Sequence, residues 1–291
     1  MHSTFASDIH QYVSGINPEL EIMSSNVVDG SIIDVVDHQL KVALNLIPLD
    51  GKTNHQKGKL TAQSIDAHGN GYALYHVYES EWIHRRKVLT KKIDSLLRLN
   101  LDAKKSYRAY KCEVRKISEE TFRAFVRQNS ISVVPFSDTY YGMYPMDKDD
   151  PTLLSVMSVK AVKSDPRGII LTSFCSSLDH RVAGAFGKFV AYLQSQRAYC
   201  VYHADLRWLD LTSNFITKCG MKFVRPTEPL TFAYLPNVKK LHLVNGITRE
   251  GVLSKITLER VYNDQLTPEQ NLLENGYKFI HDAGCMVFTT K

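Results

Sequence analysis

Tyr75-His76-Val77-Tyr78-Glu79-Ser80-Glu81-Trp82 is the stretch on which the reading of this chain turns. Its first five residues are rich in aromatic and β-branched side chains, which favours a strand. Ser80 has the side chain of an N-cap, and Glu81 the charge that a helix N-terminus attracts. From there Ile83, Val88, Leu89, Ile93, Leu96, Leu97 and Leu99 recur near helical spacing, so a strand turning directly into a helix is expected. The other face of that helix carries His84, Arg85, Arg86, Lys87, Lys91, Lys92 and Arg98. Between Arg85 and Lys116 twelve Lys and Arg stand against three acids, Asp94, Asp102 and Glu113, a local excess larger than the +6 of the whole chain. Such a run is either a solvated helix face or a surface for phosphates.

The 291 residues around it leave room for two modest domains. Apolar and charged fractions of 44% and 23% are those of a globular protein, and no apolar run reaches the ~18 residues of a membrane span. No membrane partner is therefore expected. Met1-His2-Ser3-Thr4 lacks a basic region leading into an apolar one, so no secretion signal is expected. The five cysteines (112, 175, 200, 219, 285) never form a CxxC pair, which fits reduced thiols and argues against a zinc site.

Before the central stretch, residues 7–15 read as a short helix ending at Gly15, and 19–22 as the start of a strand. Residues 32–37 and 40–46 are β-rich runs joined by His38-Gln39, a hairpin signal. Residues 48–71 are loop-rich apart from a short helix at 60–66. After the basic helix, 110–117 alternate as a strand, and Ser118-Glu119-Glu120-Thr121 opens a helix with Phe122, Phe125 and Val126 inward. Strands follow at 153–162 and 169–175, then a glycine-bearing loop and helix at 188–193, a strand at 198–204, a helix at 211–219 closed by Gly220, and strands at Phe223 and 231–235. In the basic tail, Thr267-Pro268-Glu269-Gln270 starts a helix, and 276–288 read as a closing hairpin.

Two resemblances follow from these residues. Tyr78-Glu79-Ser80-Glu81-Trp82, the basic helix and Tyr107-Arg108-Ala109-Tyr110-Lys111-Cys112 resemble phage proteins of a homing-endonuclease-like family, whose N-terminal half is similar to very-short-patch repair endonucleases. That resemblance implies a PD-(D/E)xK hairpin, in which carboxylates hold Mg²⁺ to activate water and offset charge on the phosphate. Asp34 stands at the first metal position, but Asn45 replaces the second acid and Ile47 the Lys or Asn. The residual candidates are Asp34 as metal ligand with His55 and Glu79, and Glu81 beside them; the alternatives are a hydrogen-bonded structural Asp34 and an ordinary loop His55. A nuclease fold without its cutting chemistry is thus expected, residing in the cytoplasm of an infected bacterial host.

From 109 onward the order of elements, with Lys218-Cys219-Gly220-Met221-Lys222-Phe223, resembles the GNAT acetyltransferases and, more remotely, the Mom DNA-modification proteins. In GNAT enzymes an R/Q-x-x-G-x-G/A loop offers backbone N–H groups to the pyrophosphate of acyl-coenzyme A. Arg181, Gly184 and Phe186 take the three marked positions, the Phe leaving less room, with Gly187 following. Asp205 and Arg207 are a candidate polar site or a surface ion pair. The expected fold is therefore α/β: a degenerate nuclease-like domain (1–108), a GNAT-like domain (109–236) and a basic extension (237–291). The leading function is binding of double-stranded DNA without cleavage, through Arg85, Arg86, Lys87, Lys91, Lys92, Lys104, Lys105 and Arg108. The alternatives are an active Mg²⁺ endonuclease, an acyltransferase or DNA-base modifier with an acyl-coenzyme A-like ligand, and a non-catalytic interaction module.

Overall fold

The structure is a computed structural model that describes residues 4–52, 56–99, 105–132, 137–147, 149–244, 246–254 and 262–291. The chain is a mixed α/β protein. In order its elements are α1 (Thr4–Ile16), β1 (Glu21–Val28), β2 (Ser31–Asp37), β3 (Val42–Ile47), α2 (Lys59–Gly69), β4 (Ala73–Tyr78), α3 (Glu79–Leu96), β5 (Ser106–Arg108), β6 (Cys112–Ile117), α4 (Glu119–Asn129), β7 (Thr139–Pro145), β8 (Ser155–Val162), β9 (Asp165–Ser176), β10 (Arg181–Ala183), α5 (Ala185–Gln194), β11 (Tyr199–Asp205), α6 (Phe215–Lys218), β12 (Lys222–Pro226), β13 (Thr231–Tyr234), β14 (His242–Leu243), α7 (Arg249–Leu253), α8 (Pro268–Glu274), β15 (Lys278–His281) and β16 (Cys285–Thr289). Among the described residues no helix is long and apolar enough to cross a membrane.

The chain divides into two compact units that interleave along the sequence. The first comprises Met1–Arg86, Asp205–Thr212 and Thr227–Cys285, the second Lys87–Ala204, Ser213–Pro226 and Met286–Lys291. These limits follow a different course from a division at 108 and 236. α3 passes from one to the other, and Arg85, beside the limit, has non-helical backbone angles (φ −138°, ψ 26°).

In the first unit the expected hairpin is present. β2 and β3 pair antiparallel with Val35 opposite Leu44, and β3 pairs parallel with β4 through the crossover helix α2. Every residue of β3 and β4 is buried, and β4, at the edge of this four-stranded sheet, donates its His76 N–H to the Arg207 carbonyl at 3.2 Å. Ala67 of α2 packs there with Val27, Val28, Ile33, Val36, Ala43, Tyr72 and Leu74. A second sheet, β14-β13-β15, is backed by α7 and α8 around Ala233, Val244, Val252, Leu272 and Tyr277. Thr267 caps α8 with a full capping box and Pro268 behind it, as expected from those residues.

The second unit is built on seven strands in the order β12-β16-β11-β9-β8-β7-β6. β6 to β9 are successive antiparallel neighbours, and β9 and β11 are parallel, with α5 as the crossover. Ser118 caps α4 by accepting the Thr121 N–H, and Phe122, Phe125 and Val126 pack on Tyr140, Val156 and Cys175.

Four local expectations are corrected. Ser80 does not cap α3: the helix begins at Glu79, because the Glu81 carboxylate accepts the Tyr78 N–H at 2.9 Å and closes that end itself. Ile83 is 48% exposed rather than part of the buried stripe, the inward position being taken by Trp82. The helix expected at 211–219 is confined to Phe215–Lys218, since the Asp210 carboxylate takes the Thr212 N–H and hydroxyl and holds a turn instead. Residues 276–288 form no hairpin. β15 pairs with β13 and β16 with β12, because Asp282 between them spends its carboxylate on the Leu230 and Gly284 N–H groups. Gly284 has φ +72°, and a Cβ there would lie 2.8 Å from the Thr227 carbonyl oxygen.

Candidate functional sites

In the first unit the register of β2 and β3, carried one step past Val35 and Leu44, sets Asp34 across from Asn45. The Asp34 carboxylate accepts the Leu46 N–H at 2.7 Å. Asn45 is buried and points into a closed neutral network. Its Nδ2 donates to Gln63 Oε1 and to His76 Nδ1, both at 3.1 Å. On the far side of the ring Nε2 donates to the Leu60 carbonyl at 3.1 Å, and Ser64 Oγ stands 2.9 Å away. A carbonyl only accepts, so the proton sits on Nε2. Burial foremost, and then the Arg207 charge, push the His76 pKa down to about 3. The imidazole is therefore neutral at physiological pH.

Glu79 is likewise committed. One carboxylate oxygen accepts the Leu49 N–H at 2.8 Å and the other meets Lys239 Nζ at 2.5 Å. Ile47 is buried, and His55 lies outside the described residues. Among the described residues no group of three or more His, Cys, Asp or Glu is placed to hold a metal ion.

A different cluster lies deeper than its residues suggest. Arg207 is buried rather than on the surface, with Nη1 2.9 Å from Glu81 and Nη2 3.6 Å from Asp205. Its guanidinium lies 4.5 Å from the centre of the Tyr78 ring. Burial works against its charge, but Glu81, Asp205 and Tyr78 outweigh that and raise the arginine pKa further. The two halves of this cluster, Tyr78 with Glu81 and Asp205 with Arg207, are over a hundred residues apart, so no local pattern joins them.

In the second unit β9 and β11 are paired from Tyr199↔Gly168 to Tyr202↔Leu171 and then part, while β9 stays paired with β8 as far as Ser155↔Ser176. Past Leu171, β9 thus has an open edge on the β11 side. The loop leaving that end of β9 runs through β10, which pairs parallel with β5, and into α5. Arg181 is exposed and its N–H donates to the Lys105 carbonyl at 3.1 Å. Gly184 is the N-cap of α5, with φ +81°, a conformation glycine adopts without strain. The first N–H groups of a helix lack intrahelical acceptors, so this end presents donors toward anions.

Phe186 points inward, packed among Phe174, Tyr202 and Phe215 with ring centres 4.9 to 5.5 Å apart, and is 5% exposed. Its ring therefore does not crowd the outer side of the loop, contrary to the expectation for that position. Gly187 serves packing: a Cβ there would lie 3.0 Å from Cys219 Sγ. Asp205 falls in the first unit, with Arg207.

The basic candidates fall in both units, Arg85 to Lys92 on α3. Arg85 and Arg86 belong to the first unit, where the Arg86 guanidinium lies 4.2 Å from the centre of the Trp82 ring. Lys87, Lys91, Lys92, Lys105 and Arg108 belong to the second. There Lys91 pairs with Asp179 at 2.5 Å and Lys105 with Asp150 at 3.1 Å, while Lys87 and Arg108 are exposed. Lys104 lies outside the described residues.

No protein-family model and no curated protein matches the chain. Among solved structures it is similar to a Bacillus subtilis acetyltransferase crystallised in complex with CoA, at 7% identity and a TM-score of 0.34, over 62% of this chain and 96% of that one. At that score the chemistry of the site rests on its own geometry.

Proposed function

We propose that the second unit binds an acyl-coenzyme A-type cofactor at the end of β9 where β11 diverges, as an acyltransferase-like domain. The observation that carries this reading is the parting of two parallel strands after Leu171 and Tyr202 beside a loop that delivers Gly184 and the N-terminus of α5. Ligands of open α/β sheets settle outside the carboxyl ends of parallel strands, where a helix N-terminus favours negative charge. Arg181 and the first-turn N–H groups of α5 would hold the phosphates, and the coenzyme would supply the activated acyl thioester. Calorimetric titration with CoA tests the reading: saturable heat is expected, with unfolding opposed by about 2.7 kcal/mol at a hundredfold excess over Kd. Replacing Gly184 with Val should remove both effects. Absence of heat at millimolar CoA refutes the proposal.

A second reading, binding of double-stranded DNA by a first unit that has lost nuclease chemistry, is favoured by one observation. The position of the second acid is occupied by Asn45 in a satisfied neutral network, and Asp34 is spent on a backbone N–H. Neutralising Arg85 and Arg86, the candidate cations of that unit, should then flatten the salt dependence of DNA affinity by about 0.9 in log–log slope for each phosphate left without its cation. An unchanged slope refutes a role for these residues.

A further inference from the structure

The second unit contains a cleft of about 420 Å³ whose walls include Tyr107, Tyr110, Lys111, Met146 and Asp150. That volume is within the range of small-ligand sites, ~300–1,000 Å³. One wall is locked in place. Asp150 accepts from the Tyr107 hydroxyl at 3.0 Å and from Lys105 Nζ at 3.1 Å, and it also takes the Thr152 N–H at 3.1 Å. The Thr152 side chain foremost, then Lys105, the Thr152 N–H and Tyr107, hold the Asp150 carboxyl far below the usual carboxylate range. The Lys105 ammonium in turn lies 4.8 Å from the centre of the Tyr107 ring.

Of the lining groups, Tyr110, Lys111 and Met146 are uncommitted. Tyr110 is 62% exposed and Met146 53%, a high exposure for such large apolar side chains. Among the described residues neither the Tyr110 hydroxyl nor Lys111 Nζ has a hydrogen-bond or ion-pair partner. The backbone beneath is fixed, since the Met146 N–H donates to the Lys111 carbonyl at 2.9 Å. A flat aromatic ring, a thioether and an adjacent free ammonium on a rigid floor match a ligand with a planar apolar part and an anion one side chain away.

From this we infer that the cleft binds a nucleotide, with the base against Tyr110 and Met146 and a phosphate on Lys111. Stacking on an aromatic side chain discriminates weakly among bases, so the class is nucleoside phosphates rather than one base. The cleft adjoins the loop at Gly184, since β5 pairs with β10 and a Cβ at Gly184 would lie 3.6 Å from the Ala109 Cβ, so the two sites are separated by changing the cleft residues.

The test is calorimetric titration of the full chain with AMP, adenosine, inorganic phosphate and a short single-stranded oligodeoxynucleotide. AMP should bind, and adenosine and phosphate should each bind at least tenfold more weakly. Tyr110→Ala should weaken AMP by about tenfold or more, as expected for a lost base stack, and Lys111→Gln should weaken AMP while leaving adenosine unchanged. Both residues are exposed, so neither change threatens folding. Tyr110→Ala should leave CoA binding intact. Loss of AMP with retention of CoA in Tyr110→Ala separates this site from the coenzyme site, and AMP binding without CoA binding would support the cleft while refuting the coenzyme reading. The relative affinities of AMP and the oligonucleotide identify the source of the nucleotide. No AMP binding at millimolar concentration, AMP affinity indifferent to Tyr110→Ala, or phosphate binding as tightly as AMP would each overturn the inference.

Discussion

Acid should unfold the first unit through His76. Its ring is fully buried, donates from Nε2 to the Leu60 carbonyl, accepts from Asn45 at Nδ1, and has a pKa pushed down to about 3 by burial and then by Arg207. In the unfolded chain the same group titrates at ~6.5. The folded pKa lies below the unfolded one and the group is a base, so unfolded chains gain the proton first. The stabilisation from a neutral His76 is fully present above pH ~6.5 and is lost as pH falls toward 3. The slope is about 1.4 kcal/mol per pH unit, or about 2 kcal/mol between pH 6.5 and 5.

Both tryptophans, Trp82 and Trp208, lie in the first unit, so tryptophan emission follows that unit alone. Urea midpoints are measured at pH 7, 6 and 5 for the wild type and for His76→Gln, which keeps a donor and an acceptor but cannot take the proton. His281, whose pKa is lowered by burial and then Lys57, has the same sign of pH dependence, and Asp282, raised by burial, has the opposite one. Both are common to the two proteins, so the difference between them isolates His76. The wild type should lose about 2 kcal/mol more than the variant by pH 5. Parallel curves would refute a buried neutral imidazole.

Two further outcomes concern stability. Arg207→Met leaves Glu81 buried without its counter-ion and should cost the first unit about 3–5 kcal/mol by the same tryptophan-monitored denaturation, with Arg207→Met plus Glu81→Leu recovering much of it; a single-variant cost under about 1 kcal/mol would show the pair to be dispensable. Thr267→Ala removes the acceptor for the Gln270 N–H and should cost about 1 kcal/mol, read as faster amide exchange across α8; unchanged exchange in that helix would contradict the capping role.

Much of the local structure was legible in the residues themselves. The β2–β3 hairpin, the strand β4, the cap at Ser118 and the capping box at Thr267 are set by side chains within a few positions of the backbone they act on, and periodicity and cap chemistry act over that range. The substitution of Asn45 for an acid was also visible, whereas its use was not: Gln63 and His76 reach it from α2 and β4.

What tertiary structure alone decided is where each segment spends its polar groups. Asp282 turned an expected hairpin into two strands of different sheets by accepting the N–H of Leu230, 52 residues away, a partner no periodicity encodes. Arg207 looked like a surface residue two positions from Asp205, yet it became the buried partner of Glu81, 126 residues away. Burial raises the cost of leaving one partner of such a pair alone, because water cannot replace the lost charge, and burial is a property of the folded surroundings rather than of the residue. The sequence determined which elements could form; long-range pairing determined which carboxylates, cations and ring nitrogens remain to meet a ligand.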